Sequence, residues 1–184
     1  MRLFVAVELP PSLRRALGEL VRHLAESRAD VKWVEEENFH LTLKFLGEVD
    51  PARLAELAEA LARAAGEMKP FTFEAAGTGA FPSPGRARVV WVGVGRGAGE
   101  LGRLAAAVDS QLADLGFAPE SRPFSPHLTV GRVRSPRGAT DLARALEQAS
   151  FPAREVAVEE IVLFQSALGR SGPVYTPLGR HRLG

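Results

Sequence analysis

Apolar residues recur along the chain with two different periods, and switching between them divides it into strands and helices. Arg2 to Glu8 is a β-branched and aromatic run that predicts a strand, stopped by Leu9-Pro10-Pro11-Ser12. Ser12 is a candidate helix cap. Beyond it Leu13, Leu17, Leu20, Val21 and Leu24 fall at three- and four-residue spacings, which predicts a helix. Val31 to Val34 reads as a short strand. Phe39 to Leu46 then alternates strictly, with Phe39, Leu41, Leu43 and Phe45 on one side and His40, Thr42 and Lys44 on the other. Gly47 ends that strand. Asp50-Pro51 opens a second helix with Leu54, Leu57, Ala58 and Leu61 as its apolar stripe.

The second half repeats the scheme. Phe71 to Phe73 and Arg88 to Val94 predict strands, joined by a turn-rich connection carrying Gly77, Gly79, Pro82, Pro84 and Gly85. A third helix is expected from about Gly99 to Leu115, with Leu101, Leu104, Ala105, Val108 and Leu112 inward. Pro126 to Val133 is another strand, Thr140 or Asp141 begins a fourth helix, and β-rich stretches around Arg154 to Phe164 and Val174 to Leu183 follow. The order, β-α-β-β-α-β and then β-α-β-α-β-β, is that of a duplicated α+β fold. It implies two lobes, each an antiparallel sheet facing a central cleft, with helices packed outside. No shift of composition marks a linker, so residues 1–184 are read as one bilobal domain.

Composition narrows the chemistry. With 184 residues, 46% hydrophobic and 24% charged, the chain is an ordinary globular one. It has no cysteine, which excludes disulfides, thiolate metal sites and a cysteine nucleophile. No apolar run reaches the roughly 18–20 residues that span a bilayer, and Met1 to Glu8 is too short and polar for a signal peptide. A cytoplasmic, membrane-free, monomeric protein is expected. The net charge of +1 does not announce a nucleic-acid binder. Of the 23 basic residues only Lys32, Lys44 and Lys69 are lysines, and genomic base composition accounts for the arginine bias.

Two short segments carry the chemistry. Asn38-Phe39-His40-Leu41-Thr42-Leu43 and Ser125-Pro126-His127-Leu128-Thr129-Val130 each hold His-Leu-Thr followed by an aliphatic residue, in a predicted strand. Alternation puts His40 with Thr42, and His127 with Thr129, on one face, while the leucines between them turn inward. Facing lobes would bring the two pairs together. Two imidazoles can act as base and acid in the attack of water on a cyclic phosphodiester, since histidine titrates near neutrality. Two hydroxyls can hold the non-bridging oxygens in line. This route requires no metal or other cofactor. Arg132, five residues after His127, falls on the wrong face of a flat strand, and a bulge or twist at Gly131 would be needed to redirect it.

The constellation closely resembles the two-histidine phosphoesterase superfamily, and within it the RNA 2′,3′-cyclic phosphodiesterases, also called 2′-5′ RNA ligases. Beyond the two motifs, Arg2 to Pro10 is similar to the family's opening strand. Val31 to Gly47 is similar to its first signature, and Pro126 to Arg132 to its second. The resemblance implies a bilobal α+β fold, catalytic His40 and His127, and phosphate-binding Thr42, Thr129 and Arg132. It further implies RNA with 2′,3′-cyclic phosphate ends, or small cyclic nucleotides, as substrate, a 2′-phosphomonoester product, and no metal. The near-symmetry of the motifs leaves open which histidine is acid and which base. The working assignment has His127 activate water and His40 protonate the leaving oxygen. Ligation of 2′,3′-cyclic and 5′-hydroxyl ends, or RNA binding without turnover, are the alternatives.

Remaining residues have plainer readings. His23 and His181 are expected at the surface, and Trp33, Trp91, Phe39 and Phe124 in packing. Tyr175 is a candidate to stack on a base, Lys44 to sit at the cleft rim, and Arg86 and Arg88 to lie on a solvated face. The Gly93 to Gly99 run lacks the context of a dinucleotide loop.

Overall fold

A computed structural model describes all 184 residues. The chain forms β1 (Arg2–Glu8), α1 (Pro11–Ala25), β2 (Val31–Trp33), β3 (His40–Glu48), α2 (Leu54–Gly66), β4 (Phe71–Phe81), β5 (Val89–Val94), α3 (Ala98–Ala113), β6 (Leu128–Val133), α4 (Ala139–Gln148), β7 (Arg154–Val158), β8 (Glu160–Leu168) and β9 (Pro173–Arg182). These make two antiparallel sheets, a four-stranded one ordered β3-β1-β8-β9 and a five-stranded one ordered β2-β6-β5-β4-β7. The fold is α+β and two-lobed, as the pattern predicts. Each sheet nonetheless draws strands from both halves of the sequence, so the lobes are interleaved.

Three elements differ from expectation. The turn-rich stretch before Pro82 is strand: β4 continues to Phe81, absorbing Gly77 as a bulge at φ +73°. Gly79 is required within it because a Cβ there would stand 2.3 Å from the Trp91 ring. The β-rich stretch from Arg154 is two strands, split at Glu159, with β7 in one sheet and β8 in the other. Period-two alternation carries no information about which sheet a strand joins, so this crossing is invisible in sequence. Ser12 does not cap α1. That helix starts on Pro11, whose missing N–H would be unsatisfied in a first turn anyway.

The core is one cluster of 39 buried residues contributed by both sheets and all four helices. Of the predicted stripes, Leu13, Leu17, Leu20 and Leu24 of α1 and Leu57 and Leu61 of α2 are buried, while Val21, Leu54 and Ala58 are half-buried at the edges and Ala60 joins the buried face of α2. Strand β1 is buried on both faces. Leu3, Val5 and Val7 enter the main core, while Phe4 and Ala6 join Val162, Phe164 and Tyr175 on the opposite side.

Each His-Leu-Thr strand contains a bulge at the residue after its threonine. Thr42 pairs with Ala6 and Lys44 with Val5, which leaves Leu43 as the extra residue. Thr129 pairs with Trp91 and Gly131 with Val90, which leaves Val130 extra. A bulge inverts the facing of everything beyond it. Lys44 therefore turns inward, and Phe45, expected in the core, is 61% exposed. In the other strand Gly131 turns inward beneath Trp33, whose ring a Cβ would meet at 2.7 Å.

Lys44 is 3% exposed and does not stand at a rim. Its Nζ donates to Asp109 Oδ1 of α3 at 2.5 Å and to Ala118 O at 2.9 Å, with Glu120 Oε1 at 3.6 Å. An ammonium so deeply buried needs those partners, because losing one leaves a desolvated charge. Asp109→Ala should cost about 3 kcal/mol of stability, whereas Glu120→Ala, at a carboxylate largely in water, should cost less than about 1 kcal/mol. Denaturant melts of the two variants check this, and equal small losses would contradict it.

Candidate active site

Between the sheets lies a cleft of 1170 Å³ whose walls include His40, Thr42, His127, Thr129, Arg132 and Tyr175. The structure thus gathers every residue picked from the two motifs. The local geometry of the two histidines is the same. His40 Nδ1 lies 2.7 Å from Asn38 O, and His127 Nδ1 lies 2.7 Å from Ser125 O. A carbonyl only accepts, so each Nδ1 carries the proton and donates it. Each neutral ring therefore presents an unprotonated Nε2. His40 Nε2 is 2.9 Å from Thr42 Oγ1, whose hydroxyl donates to it in this tautomer. Both anchoring carbonyls come from the residue two before the histidine, and Asn38 is itself held by its side-chain Nδ2 donating to Pro173 O at 2.9 Å.

Position in the strands differs slightly from expectation. His40 opens β3, whereas β6 begins at Leu128, so His127 is the last residue of the preceding loop. Its facing is set by the Ser125 anchor and by Phe81, whose ring meets the imidazole edge-on at 5.0 Å and 88°. His40 packs against Phe4 at 4.8 Å and edge-on against Tyr175 at 5.3 Å. These aromatic walls fix both rings and desolvate His40.

Arg132 reaches the cleft because of the bulge at Val130, one residue earlier than the Gly131 position expected. The extra residue converts its odd offset from His127 into an even one. It is close enough to His40 to bear on its protonation. Burial, first, and the Arg132 charge, second, push the His40 pKa down to about 4, against an opposing contribution from the Asn38 carbonyl. Burial pushes the Tyr175 phenol up, with Arg132 and Arg2 opposing. The acids of the cleft, Asp109 and Glu120, are both engaged by Lys44. Arg2, Arg122 and Arg132 are left facing the cleft without carboxylate partners.

Other candidates lie elsewhere. Trp33 packs on the core, and Trp91 packs against Phe81 at 5.2 Å with the rings tilted by 43°; neither lines the cleft. Phe39 is buried, while Phe124 both packs on the core and faces the cleft. Arg86 and Arg88 are outside it. His23 is exposed beside Glu26 at 3.8 Å. His181 is not free at the surface: its Nε2 is buried without a partner, and burial lowers its pKa. No three His, Asp or Glu side chains stand close enough together to hold a metal ion, and no helix is long and apolar enough to cross a membrane. Sequence reading missed Arg2, Phe4, Phe45 and Phe81 as cleft residues. For Phe4 the signal was present, since it alternates with Leu3 and Val5; for Phe45 the bulge concealed it.

The His40 shift has a consequence for stability. Its folded pKa lies below the value of about 6.5 in an unfolded chain. Above that value neither state is charged and nothing is gained or lost. As pH falls from about 6.5 toward 4, the unfolded chain takes up a proton that folded His40 refuses, so stability declines. Allowing for water at the open edge of the ring, the loss should be about 2 kcal/mol, and His40→Gln should abolish it. Denaturant melts between those pH values, with NMR titration of the imidazole, check this; an unshifted His40 resonance would contradict it.

Comparison with known proteins places this geometry. The family described as LigT like Phosphoesterase matches the chain twice, over residues 7–91 and 92–175, which agrees with the duplication. A protein of Aeropyrum pernix named RNA 2′,3′-cyclic phosphodiesterase is 44% identical over 163 residues, covering 88% of this chain and 92% of its own. One of Archaeoglobus fulgidus with the same name is 43% identical, covering 97% and 98%. Among solved structures, TT0787 of Thermus thermophilus superposes with a TM-score of 0.81 at 32% identity, covering 100% of this chain and 98% of that one. LigT of E. coli complexed with 3′-AMP gives 0.72 at 34% identity, covering 99% and 97%. The chain belongs to the LigT-like phosphoesterase family.

Proposed function

We propose that this protein, as one bilobal unit spanning residues 1–184, hydrolyses 2′,3′-cyclic phosphate ends of RNA to 2′-phosphomonoesters without a metal. The observation that carries the reading is the matched pair of histidines, each locked through Nδ1 so that Nε2 faces the same cleft. The relatives named RNA 2′,3′-cyclic phosphodiesterase support the substrate, as does the solved relative holding 3′-AMP.

In this mechanism the cyclic phosphate sits between the imidazoles, with Thr42 and Thr129 donating to its non-bridging oxygens and Arg132 balancing its charge. One Nε2 takes the proton of the attacking water. The other, protonated, gives its proton to the departing ribose oxygen, and the P–O bond to that oxygen breaks as the new one forms. The in-line geometry is supplied by the fixed rings and hydroxyls.

Role assignment turns on His40. In the free protein it is neutral, which favours His40 as the base, the reverse of the working assignment. For His40 to serve as acid, it must take up a proton with the substrate, as a phosphate anion offsets the Arg132 charge. NMR of both imidazoles at neutral pH, with and without a non-titrating phosphodiester analogue, separates the two. Protonation of His40 in the complex assigns it as acid, and protonation of His127 alone assigns His40 as base.

His40→Ala and His127→Ala should each lower kcat by roughly 10²–10⁴-fold, while Thr42→Ala and Thr129→Ala should cost less. Steady-state hydrolysis of a cyclic-ended oligoribonucleotide by folded variants is the test. Wild-type rates in either histidine variant would overturn the proposal. Joining to a 5′-hydroxyl end in place of hydrolysis would favour the ligase reading, and binding without turnover the accessory one.

A further inference from the structure

The cleft holds more cationic wall than one phosphate requires. Along β1 the even-numbered residues share one face, and of these Phe4 and Arg2 line the cleft, while Glu8 at the far end is held by Arg180. Ala6 pairs with Thr42, so the reacting phosphate stands over that end of the strand. Arg2 lies four residues away, roughly 13 Å along the strand, beside its cross-strand partner Ser166, and both side chains line the cleft. Between the two ends are Phe4, Tyr175 and Phe45, with Phe45 61% exposed and 6.1 Å from Phe4. Cation, aromatic floor and second cation follow one another along a single face. The Tyr175 phenol, which both Arg132 and Arg2 influence, marks the interval between the two guanidiniums.

We propose that Arg2 and Ser166 form a second phosphate site, which holds an internucleotide phosphate upstream of the cyclic end. The cleft is then built for a cyclic-ended oligoribonucleotide rather than a cyclic mononucleotide. This inference rests on the hydrolase reading above. Three features carry it beyond that reading. Arg2 has no structural duty, being exposed and free of any carboxylate partner. A guanidinium and a hydroxyl on adjacent strands offer several donors, the combination that recognises a phosphodiester, and Glu48, opposite Arg2 on β3, stands 3.3 Å from the Met1 ammonium rather than against the guanidinium. The cleft volume of 1170 Å³ also exceeds the ~300–1,000 Å³ of sites for compact small ligands. The exposed ring of Phe45 supplies a stacking surface for the intervening base, sequence-tolerant because every base has a π face.

Three substrates test this: a nucleoside 2′,3′-cyclic phosphate, a cyclic-ended trinucleotide, and the same trinucleotide with both internucleotide linkages made neutral methylphosphonates. Wild-type protein should show kcat/KM roughly tenfold higher for the charged trinucleotide than for the methylphosphonate. Arg2→Ala should collapse that difference, and Arg2→Lys should retain part of it. Equal wild-type rates on the two trinucleotides would overturn the second site. So would an Arg2→Ala loss of the same size on all three substrates. Should wild-type protein hydrolyse none of them, the hydrolase reading fails first and this inference falls with it.

Discussion

One extra residue after each threonine is the constraint on which the cleft depends. Without the bulges at Leu43 and Val130, strict alternation would point Arg132 away from the histidines and bury Phe45, and would leave Lys44 facing the substrate. With them, each half sets a histidine, the threonine two residues on and the residue three beyond that threonine in the cleft wall. In β3 that last residue is Phe45, and in β6 it is Arg132. The two positions are equivalent in the duplication, yet one supplies a π face and the other a charge. The residues turned inward by the bulges, Lys44 and Gly131, are equivalent too, and serve opposite needs. One reaches across to α3, and the other makes room for Trp33.

Charge in the cleft follows from the same arrangement. Turning Lys44 inward engages Asp109 and Glu120, the only acids in the cleft wall, and ties the loop that leads to His127 to the strand that carries His40. What remains facing the cleft is cationic. This positive field and the aromatic desolvation around His40 act together to keep that ring neutral in the free protein. Locking Nδ1 of both histidines on backbone carbonyls costs the site no charge and leaves Nε2 as the nitrogen free of those anchors.

Much of this was legible in the sequence, for identifiable reasons. The helical stripes and the succession of strands and helices up to Arg154 followed from periods of 3.6 and 2, and the repeated His-Leu-Thr implied the duplication and the shared cleft. What escaped is what alternation cannot encode. A bulge leaves no mark in the hydrophobic pattern, so Phe45 and Lys44 were placed on the wrong faces, and Arg132 required a redirection whose site was misjudged by one residue. The split at Glu159, which sends β7 and β8 to different sheets, is a matter of long-range pairing. Backbone anchors such as Asn38 O and Ser125 O depend on conformation rather than on side-chain identity.

The central claim, that two anchored imidazoles suffice for the reaction, is tested most directly by turnover in the absence of metal. A 2′,3′-cyclic-ended oligoribonucleotide incubated with the protein in excess EDTA, with the product phosphate located by phosphorus NMR, gives a decisive answer. The account predicts undiminished hydrolysis and a 2′-phosphomonoester. Activity that vanishes with chelation and returns with a divalent cation would contradict it.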